Sequence, residues 1–325
     1  MKYNILITSV GGDIGGNIVK ILKEQDLFKC SLIGIDIKEH VFPEIDLNYF
    51  HQVSRVDNPT YITELKNIIL KYKIDIIIPS SEFDILYLHE NIVFFHDLNV
   101  KLLINNQDIV HTFLNKYITA KILDNLNICT PKTYTLDEYN NDLPFPLIIK
   151  ASSSTTSKMI EKVNTNEELI AVQATILDKE KFIVQEYIGT ETEEYTTTIY
   201  YDENITKVIT FKRLLDGDKT GYAEIINAPI LDEYALTIAK KFVLSGSINI
   251  QSRKFNNNFY IFEINPRISS TVYIRNHFNF QDLMWWVTKK LNITLNADLL
   301  KVEKEGIAVL GYTYRFYKTN TGVDK

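Results

Sequence analysis

Three short, mostly apolar runs constrain the fold of this chain more than any other feature. Tyr3 to Ser9, Leu32 to Ile37 and Ile74 to Pro79 are β-rich, and stretches with helical spacing, Ile14 to Glu24 and Tyr61 to Tyr72, lie between them. A strand that is apolar on both faces must be covered on both faces. Such strands alternating with helices describe a parallel sheet between helical layers, so the first hundred or so residues read as an α/β domain.

The pattern changes after Asn105. Asp108 to Asn127 is a helical stretch closed by Ile128-Cys129-Thr130-Pro131, and Pro144 to Lys150 is a proline-bounded strand ending in a lysine. Ser152 to Ser157 is a hydroxyl-rich loop, followed by a helix over Glu167 to Leu177 and a strand over Phe182 to Ile188. Tyr195 to Tyr201 and Ile205 to Phe211 are strands around an Asp202-Glu203-Asn204 turn. Leu231 to Leu244 is an amphipathic helix, and Ser247 to Arg253 pairs with Phe259 to Ile264 through an Asn256-Asn257-Asn258 turn. This second part is α+β with antiparallel hairpins, and 325 residues suit two or three packed units.

Composition removes several functions. Lys and Arg total 35 against 41 Asp and Glu, a net charge of −6, whereas a duplex-binding protein usually carries a basic excess. Nucleic acid is therefore not expected as a partner. Two cysteines, Cys30 and Cys129, exclude a thiolate zinc site and a disulfide scaffold and fit a reducing compartment. No stretch approaches the roughly 20 apolar residues of a spanning helix. The knot Met284-Trp285-Trp286-Val287 reads as helix core, so no membrane partner and a cytoplasmic location are expected.

The chemistry concentrates near the C-terminal end. Glu263 and Asn265 are two apart on a strand, so their side chains leave one face, and Gln251 on the preceding hairpin arm can face them. Three hard oxygens at one point suit Mg2+, which takes few protein ligands beside nucleotide phosphates. Arg267, just past Pro266, could stabilise charge on a transferring phosphoryl group. Read alone, Glu-x-Asn is a polar strand end; the hairpin spacing and the adjacent arginine favour a site.

Asn249-Ile-Gln251 with Glu263-Ile-Asn265-Pro-Arg267 resembles the metal-binding end of the ATP-grasp enzymes, as found in the carbamoyl-phosphate synthase large subunit and related stand-alone carboxylate–amine ligases. The resemblance implies a Rossmann-like pre-ATP-grasp domain over 1–107, a lid subdomain over 108–187 and a metal-binding subdomain over 188–325. It implies ATP with Mg2+, or Mn2+ in its place, on Gln251, Glu263 and Asn265, with Arg267 on the γ-phosphate. Asn115-Lys116 is similar to the family's Asp-Lys, with Asn for Asp, and Phe145-Pro-Leu-Ile-Ile-Lys150 to its strand ending in a phosphate-binding lysine. Ser157-Lys158 stands where the family closes a glycine-rich lid, but the loop Ala151 to Lys158 has no glycine. Val184 to Ile188 resembles the hinge strand, with Glu186, Tyr187 and Ile188 around adenine. Glu194 is expected on the ribose, with Glu191 as a substitute. Arg213, beside Lys212, and Arg275 are expected near the acceptor substrate.

The implied reaction is ADP-forming ligation of a small carboxylate to an amine through an acyl phosphate, and a homodimer is compatible with it. Two alternatives stay open. A module could bind MgATP without turnover. An NAD-dependent enzyme could use Gly11-Gly12-Asp13-Ile14-Gly15-Gly16 and Asp36, although strict G-x-G-x-x-G is absent. Glu82, after Pro79-Ser80-Ser81 at a strand end, could contact substrate or cap a helix.

Overall fold

The computed structural model describes residues 2–41, 46–153, 160–217 and 219–311. Among these the strands form three sheets. The first contains β1 (Lys2–Ile7), β2 (Lys29–Asp36), β3 (Tyr49–Gln52), β4 (Ile76–Ile78) and β5 (Lys101–Leu102). They are parallel and ordered β3-β2-β1-β4-β5. The apolar runs explain the covering. Ile5 and Ile7 of β1 point into one core with Ile18 and Ile21 of helix α1 (Asp13–Glu24), while Leu6 points into another with Leu65 and Ile68 of α2 (Tyr61–Tyr72). Helices α3 (Glu82–Glu90) and α4 (Ile92–Asp97) follow β4.

The glycine loop after β1 closes on its own sheet. The Gly11 N–H donates to Asp36 Oδ2 at 2.8 Å, and Lys38 N–H donates to the other oxygen at 2.9 Å. A Cβ on Gly11 would stand 2.5 Å from Val41 Cγ1, and one on Gly15 would stand 2.7 Å from Val10 Cα, so these glycines serve close packing here. Asp36 already has partners and Val41 fills the approach, which weakens the dinucleotide alternative.

The expected single helix over Asp108 to Asn127 is two, α5 (Gln107–Leu114) and α6 (Lys116–Asn125). Asn115 between them is extended at φ −102°, ψ 111°. Each helix is capped by an asparagine: Asn106 Oδ1 accepts from Ile109 N–H at 2.9 Å and Asn115 Oδ1 from Ile118 N–H at 3.0 Å. Cap formation competes with helix continuation at asparagine, which is the physical reason for the break.

The second sheet, ordered β6-β9-β7-β8, is antiparallel and joins β6 (Thr133–Thr135), β7 (Leu147–Ala151), β8 (Ile160–Val163) and β9 (Phe182–Glu186). Helix α7 (Asn166–Thr175) contributes Leu169 to its core with Leu147, Ile149 and Val184. The third comprises β10 (Glu194–Tyr201), β11 (Thr206–Asp216), β12 (Lys219–Ile225), β13 (Gly246–Phe255), β14 (Asn258–Asn265) and β15 (Ile307–Val309). Its order is β14-β13-β10-β11-β12-β15, antiparallel throughout. Asp202 accepts the N–H groups of Asn204 and Ile205, both at 2.7 Å, in the first expected turn, and Asn256 and Asn257 have φ of 47° and 64° in the second. One face packs Ile199, Ile248 and Ile250 on Ile109 and Phe113 of α5 and on Ile238 of α8 (Pro229–Lys241). The other packs Tyr200 and Phe211 with Trp285 and Trp286, joining the core of the first sheet.

Those tryptophans belong to α10 (Asp282–Leu291), which follows α9 (Val272–His277), so the knot read as helix core is helix core. Arg275, expected near the substrate, is instead 0% exposed. Its Nε and Nη2 donate to the two oxygens of Asp282, both at 2.8 Å, and its Nη1 to Ser269 and Thr271 hydroxyls at 2.9 and 3.1 Å. With its side-chain donors so engaged beneath α9 and α10, it cannot touch a substrate, and that expectation is corrected. No helix among the described residues is long and apolar enough to cross a membrane.

Removing one partner of a buried ion pair strands the other charge. Asp282→Ala is expected to lower stability by roughly 3–5 kcal/mol, read as a shift of the urea midpoint; a loss below about 1 kcal/mol would remove this pair from the structural core.

Candidate active site

The second and third sheets face each other across a cleft of about 630 Å3. Ile148 and Lys150 of β7, Ile160 and Lys162 of β8, and Gln185 and Glu186 of β9 line one side. Glu194 of β10, Arg213 and Leu215 of β11, Gln251 and Arg253 of β13, and Tyr260, Phe262 and Glu263 of β14 line the other. Tyr187, Ile188 and Glu191 form part of the connection, and Lys116, at the start of α6, closes one end.

A β-bulge shapes this wall. Glu263 pairs with Gln251 and Tyr260 with Arg253, but the register slips between Gln251 and Ser252, where Ser252 pairs with Ile261. Phe262 is the extra residue. Without it, Tyr260 and Glu263, three apart, would face opposite sides; with it, both meet the cleft, and Ile261 and Ile264 both enter the core behind. Beyond the bulge Asn265 pairs with Asn249.

Glu263 is the electrostatic centre. Lys116 Nζ lies 3.3 Å from its Oε1, a pair 9% and 23% exposed. Burial pushes the Glu263 carboxyl up, but Lys116, Lys150 and Arg267 outweigh it and hold the carboxyl below its usual range. Lys150 is 7% exposed. Burial pushes its ammonium down to about 8, Glu263 opposes that, and Lys116 and Arg253 add to it. Its Nζ stands 5.5 Å from the Phe262 ring centre.

Glu194 is placed differently from the expectation of an acid open to ribose. It is buried, with Oε1 accepting from Arg213 Nη2 at 2.7 Å and Nε at 3.2 Å, and Oε2 from Arg253 Nη2 at 3.2 Å. Arg213 is thus held at the cleft by Glu194, while Lys212 pairs with Glu193. Glu191, the substitute, is exposed and lines the cleft. In the hinge, Glu186 N–H donates to Lys132 O at 3.0 Å and Tyr187 N–H to Pro146 O at 3.3 Å, whereas the Ile188 N–H has no backbone partner among the described residues.

Arg267 stands beyond β14, its Nη2 3.2 Å from Glu82 Oε1. Ser157 and Lys158 lie outside the described residues. Among the described residues no three His, Cys, Asp or Glu side chains gather at one point, so a metal here would depend on Glu263 with the amides of Gln251 and Asn265. Lys162, Arg253, Tyr260 and Phe262 went unnoticed in the sequence. Arg253 was within reach, being two residues from Gln251 on one strand. Lys162 and Tyr260 lack any distinguishing motif, and Phe262 depends on the bulge.

Residues 178–309 match the family model described as ATP-grasp in the biosynthetic pathway with Ter operon. The chain is 28% identical over 200 residues, 55% of its length, to the carbamoyl phosphate synthase large chain of Clostridium botulinum (strain Eklund 17B / Type B), but spans only 18% of that relative. By structure it is similar to an N5-carboxyaminoimidazole ribonucleotide synthetase crystallised with ADP, with a TM-score of 0.74 and 14% identity over 94% of this chain and 81% of that one. It is also similar to an L-amino acid ligase from Bacillus licheniformis, with a TM-score of 0.63 and 14% identity over 83% and 68% of the two chains.

The depressed Lys150 gives a signed pH dependence. Between about 8 and 10.5 the unfolded chain holds a proton on this lysine that the folded chain has lost, so stability rises with pH through that window. Relative to Lys150→Met, the wild type should gain up to about 1.4 kcal/mol per pH unit within that window. Urea midpoints at several pH values would show this; a pH-independent difference between the two proteins would refute it.

Proposed function

We propose that this chain, which has the ATP-grasp fold, is an ATP-dependent, ADP-forming ligase that joins a small carboxylate to an amine. The observation that carries the reading is the cleft floor: a half-buried carboxylate between two buried lysines, at the end of an apolar slot. Phosphoryl transfer needs positioning and charge stabilisation more than a nucleophilic side chain. Five cationic and four acidic side chains line the cleft, and two of the cations are occupied with Glu194, which suits a polyanion whose charge is carried partly by a metal.

In this reading residues 1–107 help enclose the acid, and 108–187 and 188–325 clamp the nucleotide. The adenine lies between Ile148 and Ile160 on one side and Leu215 and Phe262 on the other. The Ile188 N–H, without a backbone partner among the described residues, reads its edge, and the exposed Glu191 meets the ribose. Lys116 and Lys150 serve the phosphates as point charges. The oxygens of Glu263, Gln251 and Asn265 fit Mg2+: the neighbouring cations hold the Glu263 carboxyl below its usual range, and the hydroxyls of Thr196, Thr198 and Ser269 donate to Asn249 Oδ1 rather than to either amide. When bound, the ion would neutralise phosphate charge. Arg267 then stands where spreading phosphoryl charge needs a guanidinium. The carboxylate oxygen attacks the γ-phosphorus and ADP leaves; the amine then displaces phosphate from the acyl phosphate.

A panel of amino acids and small carboxylates, assayed for ADP release with MgATP and an amine, tests this. One acid–amine pair should release ADP and form an amide of the expected mass. In Glu263→Gln, turnover should fall by roughly a hundredfold or more while the fold persists. Undiminished turnover in that variant would overturn the assignment of the floor. MgATP binding with no ADP release across the panel would favour a binding module instead.

A further inference from the structure

The third sheet loses its backbone ladder at the end of β14. Asn249 pairs with Asn265, the last residue of that strand, and the next residue is Pro266, which has no N–H to give. The chain turns there at once, the Arg267 N–H donating back to Asn265 O at 2.9 Å. β13 extends beyond this point, so Ser247 has no β14 residue beside it although it is fully buried.

Asn105 fills that place. It is buried in the segment between β5 and α5, and its Nδ2 donates to Ser247 O and to Pro266 O, both at 2.9 Å. One amide group thus joins β13 to the turn after β14 from outside the sheet. A Cβ on Gly246 would stand 2.7 Å from Asn105 Oδ1, so the glycine is what lets the amide come this close. That Oδ1 is itself buried with no hydrogen-bond partner. An open buried acceptor costs about 1–3 kcal/mol, and such a group calls for an explanation beyond packing.

The residues on either side of Pro266 are Asn265 and Arg267. The far side of their turn is held by Ser269, whose hydroxyl accepts from Arg275 Nη1 at 2.9 Å and lies 3.1 Å from Asn249 Oδ1. The near side is held by Asn105. Resting on the reading that Gln251, Glu263 and Asn265 hold Mg2+ against a triphosphate, we infer that Asn105 is a positioning residue for the metal site. By gripping Pro266 O it fixes the direction in which Asn265 and Arg267 leave the end of β14. It acts only through those two neighbours, and it brings the segment after the first sheet into the support of the ion. Supporting hydrogen bonds of this kind change metal affinity by roughly ten- to a hundredfold when removed.

Calorimetric titration with ATP, once with Mg2+ and once with EDTA, gives the factor by which magnesium tightens nucleotide binding. In Asn105→Ala this factor should fall roughly tenfold, while the affinity in EDTA stays close to that of the wild type. Asn105→Ser, whose hydroxyl can donate to only one of the two carbonyls, should lose part of the factor and serves where the alanine variant does not fold. Leu65→Ala, a cavity in the core on the other face of the first sheet, should lose stability but keep the wild-type factor. An unchanged factor in the Asn105 variants, or a loss as large in Leu65→Ala, would overturn the role of Asn105 and leave the ligase reading standing. A wild type that binds no ATP, or whose ATP affinity ignores magnesium, would overturn the metal site and this inference together.

Discussion

A single carboxylate held between two lysines of another part of the chain organises the cleft. Glu263 comes from the last hairpin of the third sheet; Lys116 begins a helix and Lys150 sits on the second sheet. Each charge alone would be costly to bury, and together they offset part of that cost. The lysines still outnumber the acid, and burial leaves Lys150 reluctant to keep its proton. Such a floor is poorly satisfied by protein alone and better satisfied by an anion, which connects the energetics of the fold to its proposed chemistry.

Other charges repeat this division between structural and available groups. Arg275 is fully engaged beneath α9 and α10, and Arg213 and Arg253 share Glu194. Arg267 and Glu82 are joined by one bond only. These arginines are indistinguishable as letters in a sequence. What separates them is whether the surrounding oxygens exhaust their donors, and that depends on which distant segments pack against them.

Backbone detail contributes as much as charge. Asn115 interrupts what reads as one long helix, and the break starts α6 at Lys116. The bulge at Phe262 changes the phase of β14 so that Tyr260 and Glu263 share the cleft face. Neither feature changes fold class. Both decide which side chains reach the cleft.

The sequence by itself determined the sheet types, because apolar runs covered on both faces and alternating hairpins have different periods, and those periods are local. Four residues it singled out, Gln251 and Glu263 by hairpin spacing and Lys116 and Lys150 by resemblance, line one cleft in the structure. The open pairing of Glu82 with Arg267, the closure of Arg275 and the clamp on Glu194 were decided only by the tertiary structure. They join residues as far apart as 82 and 267, and burial and hydrogen-bond satisfaction are properties of the packed neighbourhood, which one-dimensional spacing does not contain.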